Sequence, residues 1–291
     1  MLIDTQILAE DVGQLVAFPE VYLRLGQLLD DPDCTVQQVA QLISQDPALS
    51  VRVLRIANSP FFGLSREVDT VSRAVTVLGM ARVREAVLTC AAGQVLTEIP
   101  NDVITIEDFW HHSIYCGLIA QALATRSSRV TEDFAFVAGL LHDIGQLVLF
   151  NRYPGEMRVA LDLLAEGDHD RELQMYTVEQ QVLGIDHMAL GAALLHAWHL
   201  PERLQECVEF HHHPERAQRY PVETAVIHLA NALAHLAQSG SDDLAEASFI
   251  DARAWQTAGL EPDIAAAVID EAQGAFSAVK AMLSLDGGRR A

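Results

Sequence analysis

Apolar residues in this chain recur every three to four positions, and strict alternation is almost absent. In FPEVYLRLGQLLDD, Val21, Leu25, Leu28 and Leu29 share one helical face. Thr35 and Gln38 have the spacing of a capping box, so a second helix starts there. Asp46 reads as an N-cap with Pro47 at the first helical position, and Leu49, Val53, Leu54 and Ile56 form the buried side of a third helix. NSPFFGLS reads as a turn carrying Phe61 and Phe62. TVSRAVTVLG is a short helix ended by Gly79, and MARVREAVLTCAAGQVL is another. The polar stretch TEIPNDVIT reads as a connection. Helices follow over about 107–125, 131–150, 155–166, 171–183, 188–198, 201–212 and 222–237, and EPDIAAAVIDEAQGAFSAVKAML is one more. The tail DGGRRA is expected to be disordered. The pattern predicts an all-α, two-lobed protein: an N-terminal helical lobe over 1–100, a second helical lobe over 101–240, and a C-terminal helical extension and tail over 241–291.

Half of the 291 residues are hydrophobic, ample for a core. No uninterrupted apolar run of about 18 residues is present, which argues against a membrane span. The acidic N-terminus lacks the basic start of a secretory signal. Cys34, Cys90, Cys116 and Cys207 form no CxxC pair, so a cytoplasmic protein with reduced thiols is expected. A net charge of −21 repels phosphate backbones and argues against nucleic-acid binding. Lys280 is the sole lysine, so there is no GxxxxGK[ST] loop and no lysine for any expected pocket.

The stretch GLLHDIGQLVLF carries the candidate chemistry. His142 and Asp143 sit among Leu140, Leu141, Ile144, Leu147, Val148 and Leu149, where an uncompensated carboxylate is costly. Either the two satisfy each other and the backbone, or they hold a metal ion. The twelve histidines are uneven, with none in the first 110 residues. Histidine and carboxylate are ligands for first-row metals, and distant helices can bring them to one point in a bundle. His228, His235 and His196 read as core or rim residues with one hydrogen bond. His169 reads as a loop residue, and His196 with His199 as the exposed end of a helix. His211, His212 and His213 are weak evidence alone, because adjacent helical residues point about 100° apart.

The pattern FWHHS…GLLHDIG…LGIDHMALGAALLHAWHLP…VEFHHHPE…VIHLANAL resembles the HDOD domain, a non-standard relative of HD-type metal-dependent phosphohydrolases found in bacterial signalling proteins. The N-terminal helices are similar to that family's opening helices, and the resemblance spans roughly 14–237. It implies an all-α fold with a site at the HD doublet. By motif position, His112 matches the first histidine, and His142 and Asp143 match the doublet. His187, His211 and His212 match extra histidines of the di-metal HD-GYP cyclic-dinucleotide phosphodiesterases. Asn231 stands where active HD enzymes carry a closing aspartate, and Gln146 where they commonly carry a phosphate-facing lysine. Arg219 replaces a glycine of the HD-GYP signature.

The resemblance therefore implies a divalent cation of the iron, manganese, zinc or magnesium kind, or the relic of such a site. Two functions follow. One is a non-catalytic regulatory module acting through contacts with other signalling proteins, with homo-oligomers allowed. The other is a metal-dependent phosphohydrolase acting on a nucleotide or cyclic dinucleotide. No receiver, kinase or GGDEF-like segment is legible, so signal input is expected from another chain. His112, His142, Asp143, His187, His211 and His212 are expected to converge in one pocket, with Gln146 and Asn231 on its wall.

Overall fold

The computed structural model describes residues 5, 8–10, 19–58, 68–98, 102–127, 129–166, 175–247 and 249–282. Phe61, Phe62, His169 and the tail lie outside them. Every regular element among the described residues is helical. The chain divides into two compact units, one of residues 17–97 with 274–291 and one of residues 1–16 with 98–273.

The smaller unit contains α1 (Glu20–Leu29), α2 (Val36–Ser44), α3 (Pro47–Ala57) and α4 (Val71–Glu98). Their starts follow the sequence chemistry. Thr35 and Gln38 form the reciprocal capping box. The Asp46 carboxylate accepts the Leu49 N–H at 3.0 Å. Gly79, at φ 81° and ψ 165°, breaks the helical path inside α4, where the sequence places a boundary between two helices. Leu25, Ile43, Val53 and Val83 are fully buried. The Asn58 side chain clamps Val68, donating to its carbonyl at 2.8 Å and accepting its N–H at 2.7 Å.

The larger unit contains α5 (Ile106–Ser127), α6 (Glu132–Leu141), α7 (Ile144–Arg152), α8 (Pro154–Glu166), α9 (Met175–Leu183), α10 (His187–Ala197), α11 (Glu202–Phe210), α12 (Pro221–Ser239) and α13 (Ala252–Ala258). A last helix, α14 (Ala265–Met282), is divided between the units at Gly274. α5 packs on α6 and α12, while α10 packs on α7 and α11. Two close approaches depend on glycine. A Cβ on Gly139 would stand 2.7 Å from the Cys116 carbonyl oxygen, and one on Gly145 would stand 2.0 Å from the His187 carbonyl oxygen. α7 and α10 thus meet backbone to backbone beside the HD doublet.

One expectation is corrected. The sequence reads as one helix over 131–150, but the chain turns at His142 and Asp143, between α6 and α7. Asp143 sits at φ −100° and ψ 14°, outside the helical basin, and its carbonyl accepts the Gln146 N–H at 2.9 Å. The unbroken apolar pattern hides this turn because both segments are buried on all sides. The stretch Phe134–Arg152 has the length and hydropathy of a membrane span, yet 89% of it is buried inside the protein.

Candidate metal centre

Asp143 lies at the middle of a histidine cluster. Its Oδ1 is 3.4 Å from His187 Nε2 and 3.5 Å from His211 Nε2. Its Oδ2 is 3.1 Å from His142 Nε2 and 3.8 Å from His112 Nε2. His112 comes from α5, His142 and Asp143 from the α6–α7 turn, and His187 from the first residue of α10. Asp186 caps α10 by accepting the Ala189 N–H at 2.8 Å, which holds His187 at the helix mouth. His211 and His212 lie in the turn after α11, which ends at Phe210, two residues short of the helix over 201–212 that the sequence pattern predicts. Their rings stand 4.3 Å apart, and the His212 ring is 5.3 Å from that of His187.

The Nδ1 atoms of His112, His142, His187 and His211 are each engaged away from the centre. Nδ1–H of His142 donates to the Gly139 carbonyl at 2.7 Å, and that of His211 to the Val208 carbonyl at 2.8 Å. His187 donates both its Nδ1–H, at 2.6 Å, and its backbone N–H, at 2.8 Å, to Glu179 Oε2. His112 Nδ1 lies 2.9 Å from the Gln238 amide oxygen. A carbonyl or carboxylate oxygen only accepts, so Nδ1 carries the proton and Nε2 presents its lone pair to the centre. Metal-binding histidines are held this way by oxygens on their outer nitrogen.

Two buried atoms lack hydrogen-bond partners at the centre: His142 Nε2, whose approach to Asp143 is poorly aligned, and Asp143 Oδ1. His187 Nε2 and His211 Nε2 face each other at 3.4 Å, and His112 Nε2 faces Asn231 Oδ1 at 3.0 Å. Two ligands of one ion at about 2.0–2.2 Å stand about 3.0–3.5 Å apart. The donor set falls into two trios, His112 with His142 and Asp143, and His187 with His211 and His212. Asp143 turns one oxygen toward each, so the residues present fit one or two divalent cations.

The electrostatics agree with that chemistry. Burial pushes the His112 imidazole down to about 3 and the His211 imidazole down to about 4. Burial also holds His212 well below its ordinary value. Burial opposes charge on His142, but the adjacent Asp143 carboxylate outweighs it and holds His142 well above 6.5. Asp143 is likewise penalised by burial yet held well below the usual carboxylate range by His142. His187 loses by burial and gains more from Glu179, which lifts it to about 9. Without an ion, protons on His142 and His187 compensate the two buried carboxylates.

A cavity of about 820 Å³ opens over the cluster. Asp143, His112, His187, His212 and Asn231 face into it, and Gln146 lines it as expected, although through the first turn of α7 rather than through one helix shared with His142. Its apolar walls include Phe109, Leu164, Met175 and Phe249. No lysine or arginine is among its described lining residues. Five of the seven residues singled out as candidate ligands line this space, and the other two, His142 and His211, are buried behind them against Asp143.

Other histidines stay apart or play unforeseen parts. His196 and His199 are exposed at the end of α10. His111 is half-buried beside Glu107 at 3.6 Å. His235, read as a core or rim residue, packs its ring against that of His112, centres 4.3 Å apart and tilted by 32°, and lines the cavity. Sequence reasoning also missed Glu179 and Gln238. The one signal for Glu179 was a charge beside Val178 in an apolar face; it is completely buried.

The HDOD domain family model matches residues 15–214. An uncharacterized protein of Treponema pallidum (strain Nichols) is 27% identical over 227 residues, which cover 77% of this chain and 43% of that protein's length. Among solved structures, an HDOD domain protein of unknown function from Geobacter sulfurreducens superposes with a TM-score of 0.74 at 24% identity, covering 96% of this chain and 97% of that one. A candidate phosphohydrolase from Shewanella amazonensis SB2B superposes with a TM-score of 0.72 at 27% identity, covering 95% of this chain and 97% of that one. A candidate metal-dependent phosphohydrolase from the same organism has a TM-score of 0.60 at 20% identity, covering 92% and 91%.

Proposed function

Because the chain belongs to the HDOD domain family, we propose that it is a regulatory module whose histidine–aspartate centre binds a divalent cation and does not hydrolyse phosphoesters. The observation that carries this reading is the pair of neutral amides on the cavity wall, Gln146 and Asn231. Asn231 approaches His112 where a carboxylate would add a negative ligand, and Gln146 offers no positive charge to a phosphoryl group.

His112, His142 and Asp143 would hold one cation, and His187, His211 and His212, with the other oxygen of Asp143, a second. A bound divalent cation supplies Lewis-acid charge to an oxygen of a ligand. The chain's own residues do the rest. Glu179, Gln238 and the Gly139 and Val208 carbonyls orient the imidazoles. Phe109, Leu164, Met175 and Phe249 shape a partly apolar chamber that limits water around a bound molecule. Gln146 and Asn231 recognise polar groups by hydrogen bonds without neutralising charge. The ligand class is a nucleotide or cyclic dinucleotide, sensed rather than cleaved. The signal passes to other signalling proteins in the cytoplasm, and the N-terminal helical lobe is the surface we assign to them.

A second reading is favoured by one feature: Asp143 divides its two oxygens between two donor trios, an arrangement suited to a two-metal phosphohydrolase. A screen of nucleotides and cyclic dinucleotides with added manganese or iron decides between them. No turnover is expected from the wild type. Hydrolysis by the wild type that vanishes in Asp143→Ala would overturn the regulatory reading. Activity gained by Gln146→Lys with Asn231→Asp would support the silencing role of those positions.

A further inference from the structure

His228 reads in sequence as a core or rim histidine with one hydrogen bond. It is 2% exposed, and both of its ring nitrogens are used. Its Nδ1–H donates to the His211 carbonyl at 2.7 Å, and its Nε2 accepts the Asp251 backbone N–H at 2.9 Å. A carbonyl cannot donate and an amide cannot accept, so these partners fix one neutral tautomer. A rigid ring thereby links two distant backbone positions.

Each end of that link matters. His211 is held twice: its ring by Val208, which turns Nε2 toward Asp143, and its backbone carbonyl by His228. At the other end, the Asp251 carboxylate accepts the Arg253 N–H at 2.9 Å and caps α13. Glu246 and Phe249, just before Asp251, are part of the cavity wall. The Phe249 ring also meets His235 edge-on at 5.8 Å. The donor turn, the cavity wall and the start of α13 are therefore joined through one side chain.

We infer that His228 is a positioning residue that couples the His211 donor turn to the cavity-wall segment ending at Asp251 and to α13. This rests on the metal reading above. An ion that draws His211 Nε2 toward Asp143 moves or steadies the His211 carbonyl. His228 passes that change to the Asp251 amide, and with it to the wall against which a ligand would bind. Ion occupancy and cavity shape then bias each other, as linkage requires.

The test is hydrogen exchange on the full chain, with and without manganese, in the wild type, His228→Gln and His228→Phe. Gln keeps a donor and an acceptor, whereas Phe keeps the ring shape and loses both. Manganese should slow exchange across 249–258 by roughly tenfold in the wild type. His228→Phe should bind manganese roughly 10–100-fold more weakly. At saturating metal its 249–258 segment should no longer respond, and His228→Gln should recover part of the response. A purely structural role would lower the melting temperature and leave the metal response of 249–258 in place, which would overturn the coupling. Wild-type binding of manganese with unchanged exchange in 249–258 would also overturn it. Absence of manganese binding in a folded wild type would overturn the metal reading and the coupling together.

Discussion

Glu179→Gln is the substitution whose effect the structure specifies most fully. Glu179 Oε2 accepts two N–H groups from His187, at 2.6 and 2.8 Å, and the side chain is wholly buried. The glutamine can keep an acceptor in place but removes the charge. That charge lifts His187 from 6.5 to about 9 against the opposing effect of burial. At roughly 1.4 kcal/mol per pH unit, the raised value corresponds to about 3 kcal/mol in the metal-free protein, with Glu179 the largest favourable cause and Asp143 and Asp186 adding to it. Because the folded value is raised, this contribution is fully present below about pH 6.5 and is lost as pH rises through about 9. Thermal unfolding of chelator-treated wild type and Glu179→Gln should therefore differ most near pH 6 and converge above about pH 10. Metal affinity should fall roughly 10–100-fold as His187 loses its anchor. A stability gap as large at pH 10 as at pH 6, or no gap at either, would refute the reasoning.

Gly145→Ala should cost about 3 kcal/mol or more and weaken metal binding, because the new Cβ would press on the His187 carbonyl oxygen from 2.0 Å; thermal unfolding and metal titration check it. Gly155→Ala in α8, where nothing lies within 4 Å of the added Cβ, is the control and should be neutral or slightly stabilising. Acidification below about pH 6.5 should destabilise the metal-free protein, since burial lowers His112 to about 3 and His211 to about 4 while the unfolded chain takes up protons first. Each such group contributes a slope of about 1.4 kcal/mol per pH unit, so a melting temperature unchanged between pH 6.5 and 4.5 would contradict the burial of these rings.

The helices and the donor set were legible for different reasons. Capping at Thr35 and Asp46 and the break at Gly79 are local chemistry, so sequence and structure agree there. His112, His142, Asp143, His187, His211 and His212 were recognisable through the resemblance to HD-type proteins, and the helical fold brings them into two adjacent donor trios. The turn between α6 and α7 was not legible, because an apolar run buried on every side has the same pattern whether or not it bends. Glu179 and Gln238 escaped because their roles depend on tertiary contacts eight and 126 residues away in sequence. His228 escaped because periodicity marks burial but does not count hydrogen bonds.

Binding of an ion at the centre is the property on which the proposed function rests. Purified wild type and Asp143→Ala should each be stripped with chelator, loaded with manganese or iron, desalted and assayed for metal per chain by elemental analysis. The wild type should retain at least one equivalent, with a large loss in Asp143→Ala, because the removed carboxylate turns one oxygen to His142 and the other to His187 and His211. A folded wild type that retains no more metal than the variant would contradict the metal reading.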